Sequence, residues 1–255
     1  MSSNRDGDAV NSHHVVAQWM AEFVGTALLV GVGCTWVVLD LKTGGTVSRW
    51  IPSEGARRAL TGFLFGSTGC LITLSPIGKI SGAHINPAVT LGFWIRRRIE
   101  STTAIGYIIA QVAGGIVGAW GLGIWGSSTK QMQYAATVPG RGGDWVAALG
   151  EVGATFLLVV LLFSFLGHVR LRNFVPYLLP VLYAILVWIE APISGTSTNP
   201  ARSVGPELMT GMWNGWWVYW LGPLVGAMLA VSVLHVARPI TKWEIQVAKM
   251  YHFYG

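Results

Sequence analysis

Apolar residues in this chain do not alternate, nor do they keep to one helical stripe. They fill long runs: Trp19 to Leu39, Ala59 to Gly78, Ser101 to Thr129 and Leu208 to Ala237, with shorter ones at Trp145 to Gly167 and Phe174 to Ile189. A helix needs roughly 20 mainly apolar residues to cross a bilayer, and one that is apolar all round has no face to offer water. The pattern therefore predicts six spanning helices and no strands. The first run holds Glu22 and follows no run of positive charge, so it reads as a span and not as a cleaved leader.

Two short apolar segments do not fit the spanning set. Each opens on the same tripeptide, Asn86-Pro87-Ala88 and Asn199-Pro200-Ala201, 113 positions apart. The segments run from Asn86 to Ile95 and from Asn199 to Met209, too short to cross at about 1.5 Å per residue, so they must enter and turn back. Other features recur at similar offsets. Glu22 with Thr26 answers Glu151 with Thr155, and Gly118-Ala119 answers Gly226-Ala227. The chain thus divides into a tail over 1–14, a channel-like unit over 15–237 whose halves cover about 15–126 and 144–237, and a second tail over 238–255. Three spans per half is an odd number. The second half must lie upside down, and the two short segments then meet near the membrane midplane.

Composition agrees: 52% of residues are hydrophobic and 11% charged, with a mean hydropathy of +0.52. The net charge of +6 does not point to nucleic acid, because the basic residues sit in short clusters between apolar runs. Arg5, Lys79, Arg96, Arg97, Arg98, Arg170, Arg172, Arg238, Lys242 and Lys249 fall on one side, against Lys42, Arg49, Arg57, Arg58, Lys130 and Arg141 on the other. The excess of positive charge in short loops places both termini in the cytoplasm. Cys34 and Cys70 lie within spans, where a small apolar side chain explains them.

Asn followed by Pro is a good helix opening: the Asn oxygen caps the first N–H groups, and Pro suits a position where no N–H is needed. One copy would be an ordinary helix start. Two copies at matching points of inverted halves put two amide donors and two positive dipole ends at one place. Such a place disfavours cations and favours a neutral molecule that accepts hydrogen bonds, water first among them.

The stretches Ser81 to Thr90 and Gly195 to Ser203 resemble the two signature loops of the aquaporin (major intrinsic protein) family. The likeness extends to Glu22-Phe23-Val24-Gly25-Thr26 and to Ala110-Gln111 with Gly114, Gly115, Gly118 and Ala119. It implies an aquaporin-like all-α fold, a passive water channel without cofactor, and a homotetramer with one pore per subunit. It implies that Asn86 and Asn199 bind passing water, and that Arg202 stands in a narrow outer filter and repels protons and other cations. An Arg at membrane depth is costly and normally faces water or a partner. Counting back from Asn199 puts the remaining filter positions at Val187 and Thr196, with Phe65 or Gly66 from the second span. Glu22 and Glu151 would hold the re-entrant loops of their halves, the alternative being a proton relay. His84 belongs in the inner vestibule, with a structural or a pH-sensitive part both open. Ser203 and the pair Tyr219-Trp220 favour water over glycerol, whereas Glu207 departs from the pattern of either class.

The competing reading is a secondary transporter of a small solute, another class that uses inverted repeats and broken helices. It needs intramembrane ionisable groups that bind and release an ion, and beyond Glu22, Glu151, Glu190 and Arg202 the spans hold few. A junctional membrane protein would leave both Asn-Pro-Ala motifs idle. No nucleophile-base grouping, metal-ligand spacing or phosphate loop suggests an enzyme.

Overall fold

The computed structural model describes residues 3–241, and the side-chain surroundings of 14–237. The terminal calls at Met1, Arg5, Arg238, Lys242 and Lys249 therefore lie, in whole or in part, outside the described residues. Among the described residues the chain is helical throughout. Six long helices, α1 (Ser3–Leu41), α2 (Glu54–Leu74), α4 (Ser101–Gly121), α5 (Gly143–Gly167), α6 (Val175–Ser194) and α8 (Val218–Thr241), enclose two short ones, α3 (Pro87–Ile95) and α7 (Pro200–Thr210). The first helix begins inside the segment expected to be a tail.

Five of the long helices are long and apolar enough to cross a membrane. The sixth, α2, is 21 residues long but opens with Glu54, Arg57 and Arg58. The distribution of polarity is the reverse of a water-soluble core. Glu22, Gln111 and Glu151 are fully buried, while Trp120 is 72% and Leu149 71% exposed. A surface of that kind is stable against lipid, where every backbone polar group must find its partner within the protein.

Two span boundaries differ from the apolar runs. The run Leu208 to Ala237 joins the end of α7 to α8 across a turn containing Trp213, Trp216 and Trp217, whose apolar side chains conceal the break. The run Ser101 to Thr129 holds a helix only to Gly121, followed by a short 3-10 turn over Leu122–Trp125. Similarly α2 ends at Leu74, and Ser75 caps a separate turn of helix, Pro76–Ser81.

Packing repeats between the halves. In the first, α1 lies along α4; in the second, α5 lies along α8; and α2 pairs with α6 across the halves. The small-residue spacing makes these contacts close. A Cβ added at Gly114 would fall 2.2 Å from the Phe23 carbonyl oxygen, and one at Gly226 would fall 2.5 Å from that of Val152. Each short helix crosses over: α7 packs on α4, and α3 packs on α8. Gly115 permits the first crossing, since a Cβ there would meet the Ala201 carbonyl oxygen at 2.0 Å.

Candidate functional site

The site begins with two buried carboxylates. Glu22 Oε1 accepts the N–H of His84 at 2.9 Å, and its Oε2 accepts that of Ile85 at 2.6 Å. Glu151 repeats this with Ser197 at 2.6 Å and Thr198 at 2.7 Å. The loops so held are conformationally costly. Ala83 and Ile85 in one, Thr196 and Thr198 in the other, take left-handed φ of 41–55°. Each such residue costs on the order of 1–3 kcal/mol and persists only when its surroundings over-determine it. The carboxylates supply that determination, because successive N–H groups in each loop point at one fixed acceptor.

The supporting contacts repeat between the halves. Tyr107 donates its hydroxyl to the Ser81 carbonyl at 2.8 Å, and Tyr219 donates to the Ser194 carbonyl at the same distance. Ala83 N–H bonds to Ser81 Oγ, and Thr196 N–H to Ser194 Oγ, both at 3.1 Å. His84 Nδ1 lies 3.2 Å from Thr90 Oγ1, where the second half places Ser197 Oγ 2.6 Å from Ser203 Oγ. One position breaks the pattern. Gln111 donates to Glu22 Oε2 at 2.7 Å and to Thr90 at 2.9 Å, and at the matching place on α8 stands Pro223, which has no amide to give.

From these loops α3 and α7 begin. Asn86 Oδ1 accepts Ala88 N–H at 2.8 Å, and Asn199 Oδ1 accepts Ala201 N–H at 3.0 Å, with Pro87 and Pro200 at the first helical positions. The amides are less free than the sequence suggests. Asn86 Nδ2 donates to the Thr198 carbonyl and Asn199 Nδ2 to the Ile85 carbonyl, each at 2.8 Å. One N–H of each amide thus ties the halves together, which leaves the other to reach the cavity.

Two cavities approach this junction. The inner one is lined by Asn86, Asn199, His84 and Ile85 with apolar side chains of α5 and α6. The outer one is lined by Arg202, Thr196, Val187 and Arg58. Phe65 and Tyr183 line both, so they stand where the cavities come together, with ring centroids 5.6 Å apart. Gly66 lines only the inner cavity, and a Cβ there would lie 2.4 Å from the Leu179 carbonyl oxygen; it is a helix-crossing residue. Of the two second-span candidates, Phe65 is the one that reaches the outer cavity.

Arg202 is buried and donates from Nη1 to the Ala135 carbonyl at 2.7 Å. A carbonyl orients the guanidinium without neutralising it, so its charge is presented to the outer cavity. His84 stacks on Phe93 at 4.3 Å and meets Tyr107 edge-on at 5.2 Å. Sequence reasoning missed Tyr183, whose hydroxyl lies 2.8 Å from Thr198 Oγ1. A Tyr one turn before Val187 on α6 was the available signal. Glu207 is buried, and neither of its carboxylate oxygens has a hydrogen-bond partner. Nothing in the structure explains this.

Short helices that enter from opposite sides and meet tip to tip, within a bundle whose outer face is apolar, define an inverted-repeat membrane pore protein. The chain belongs to the major intrinsic protein family, whose pattern, described as Major intrinsic protein, matches residues 9–234. It is 33% identical over 230 residues to Aquaporin AqpM of Methanothermobacter marburgensis, covering 83% of this chain and 93% of that one. It is 34% identical over 230 residues to Aquaporin PIP1-1 of Arabidopsis thaliana, covering 85% and 77%. Among solved structures it is similar to the aquaglyceroporin from Plasmodium falciparum, with a TM-score of 0.73 over 90% of this chain and 100% of the other. At 20% identity that likeness shows the fold alone.

Proposed function

We propose that the chain is a passive channel for water and for at least one slightly larger neutral solute such as ammonia, hydrogen peroxide or glycerol, and that it excludes protons and other ions. The observation that carries this is the junction of Asn86 and Asn199. Each amide donates once across the halves, which fixes its plane, and both line the cavity on the path. Two fixed donors beside two positive helix ends bind a water oxygen and orient its hydrogens away, which opposes a continuous donor-acceptor wire for protons. Arg202 adds a fixed positive charge on the outer side, next to Thr196, Val187 and Phe65 as the remaining filter wall. Glu22 and Glu151 act as loop supports in this reading, because their oxygens already serve loop N–H groups. That use argues against a proton relay.

Val187 presents a short aliphatic side chain to the outer cavity, so the constriction is less polar than an imidazole there would make it. This favours passage of a small neutral solute beside water. We place the protein in the cell membrane with both termini in the cytoplasm, on the weight of Arg96 to Arg98 and of Arg170 with Arg172. The relatives' family implies a homotetramer. The test is stopped-flow light scattering on proteoliposomes, challenged in turn with sucrose, glycerol, urea and ammonia. Rapid shrinkage in sucrose with re-swelling in one of the smaller solutes is the expected result. Uphill solute uptake driven by a pH gradient would support a secondary transporter instead.

A further inference from the structure

Ser194 stands between two carboxyl groups. Its Oγ lies 2.6 Å from Glu151 Oε1 and also contacts Glu190 Oε1, while accepting the Thr196 N–H at 3.1 Å. A hydroxyl has one proton to give and two lone pairs. One lone pair is taken by Thr196, and the single proton can go to only one carboxyl. The other carboxyl contact is a hydrogen bond only if that carboxyl brings a proton of its own. Glu151 already receives N–H groups from Ser197 and Thr198, as an ionised carboxylate would, whereas Glu190 Oε2 is buried with no partner. An unpartnered oxygen costs far less on a neutral acid than on an anion.

We propose that Glu190 is carried as a neutral carboxylic acid that positions the outer filter, in a chain running from Glu190 Oε1–H to Ser194 Oγ–H to Glu151 Oε1. The pair of carboxyls holds one proton between them, and Ser194, oriented by both, seats the Thr196 N–H. The first half shows the contrast. Ser81 makes the equivalent bond to Ala83, but four residues before it stands Ile77, and the fourth donor to Glu22 comes from Gln111. The second half has Pro223 in place of that Gln and uses the serine hydroxyl, with Glu190 fixing its direction. The space for Glu190 is provided as well. Gly150 precedes Glu151, and a Cβ on it would fall 2.6 Å from Glu190 Oε1.

The charged and titratable groups around the chain are few. From α5 it faces Glu151, while Asp144, two turns earlier, faces Gly215. From α7 come Arg202, which acts on Glu151 electrostatically, and Glu207. From α8, Tyr219 holds the Ser194 carbonyl, and on α2 Glu54 and Arg58 pair with one another. At alkaline pH the proton on Glu190 is lost to bulk water. Two anions then flank one hydroxyl, one contact becomes repulsive, and the loop from Ser194 to Thr198 loosens beside the filter.

The link to selectivity rests on the reading of Thr196 and Arg202 as filter residues, whereas the shared proton does not. Infrared spectra of the reconstituted protein at neutral pH are expected to show a carboxylic-acid carbonyl band that is lost in E190Q. An unchanged band in E190Q overturns the proposal. In stopped-flow assays the ratio of small-solute to water permeability is expected to rise for the parent as the pH is made alkaline. E190Q, whose amide donates to Ser194 as the acid does, should keep the parent's neutral-pH ratio and lose that rise, while E190A should show a raised ratio already at neutral pH. A parent-like ratio in E190A, or a persisting alkaline rise in E190Q, also overturns it. Should the parent pass no more water than empty liposomes, the channel reading fails, and the infrared band still decides the proton.

Discussion

Single side chains in this protein act by the number of donors and acceptors they offer. Glu22 serves three donors, the N–H groups of His84 and Ile85 and the amide of Gln111. Glu22→Gln keeps the shape but turns one acceptor into a donor aimed at a donor. It is expected to cost about 1–3 kcal/mol as a buried unsatisfied group, read as a lower unfolding temperature in detergent. An unfolding temperature equal to the parent's would show that the carboxylate is not needed to hold the loop. Arg202 makes its Nη1 contact with a carbonyl, so Arg202→Val removes positive charge from the outer cavity. Water flow should persist while protons leak, as followed with a pH-sensitive dye inside proteoliposomes. If the variant stays as proton-tight as the parent, the charge of Arg202 is not the barrier. Val187→His returns bulk and polarity to the same wall, and should suppress glycerol or ammonia flux more than water flux. An unchanged ratio would remove Val187 from the filter.

Helices meet here through glycine, and the crossing of α4 with α7 is the tightest of these contacts. Gly115→Ala would push a methyl group into the Ala201 carbonyl, displacing the half-helix that carries Asn199 and Arg202. A cost of about 1–3 kcal/mol for overpacking and a loss of water permeability are expected. Gly153 meets nothing within 4 Å on its own helix, so Gly153→Ala should leave permeability as it is. Equal behaviour of the two variants would contradict the crossing as the device that sets the half-helix. At this scale the sequence was legible where the signal is local. Asn-Pro-Ala opens a helix wherever it stands, and both half-helices lie where the motif puts them. It was less legible at the ends of spans, because Trp213, Trp216 and Trp217 make a turn look like a helix. The register at Phe65 stayed open because the break at Ser75 inserts a residue that no local pattern reveals.

The whole molecule is two halves that complete one another, and the ties between them were the least visible feature beforehand. The bonds from Asn86 to Thr198 and from Asn199 to Ile85 join residues more than a hundred positions apart. No periodicity encodes such a pairing; only the repeat of the motif hints at it. Ser194 and Tyr183 were hidden for the same reason, being ordinary residues made functional by what the other helices bring to them. The channel reading predicts a property of the assembled molecule that no single residue supplies: a continuous path on which water exchanges hydrogen bonds with fixed donors and never loses them all. The direct measurement is the osmotic water permeability of proteoliposomes across a range of temperatures, beside empty liposomes of the same lipid. A permeability well above the empty vesicles, with a weak temperature dependence like that of water moving through water, is the expected result. A permeability equal to that of the bare bilayer, or one with the bilayer's steep temperature dependence, would contradict it.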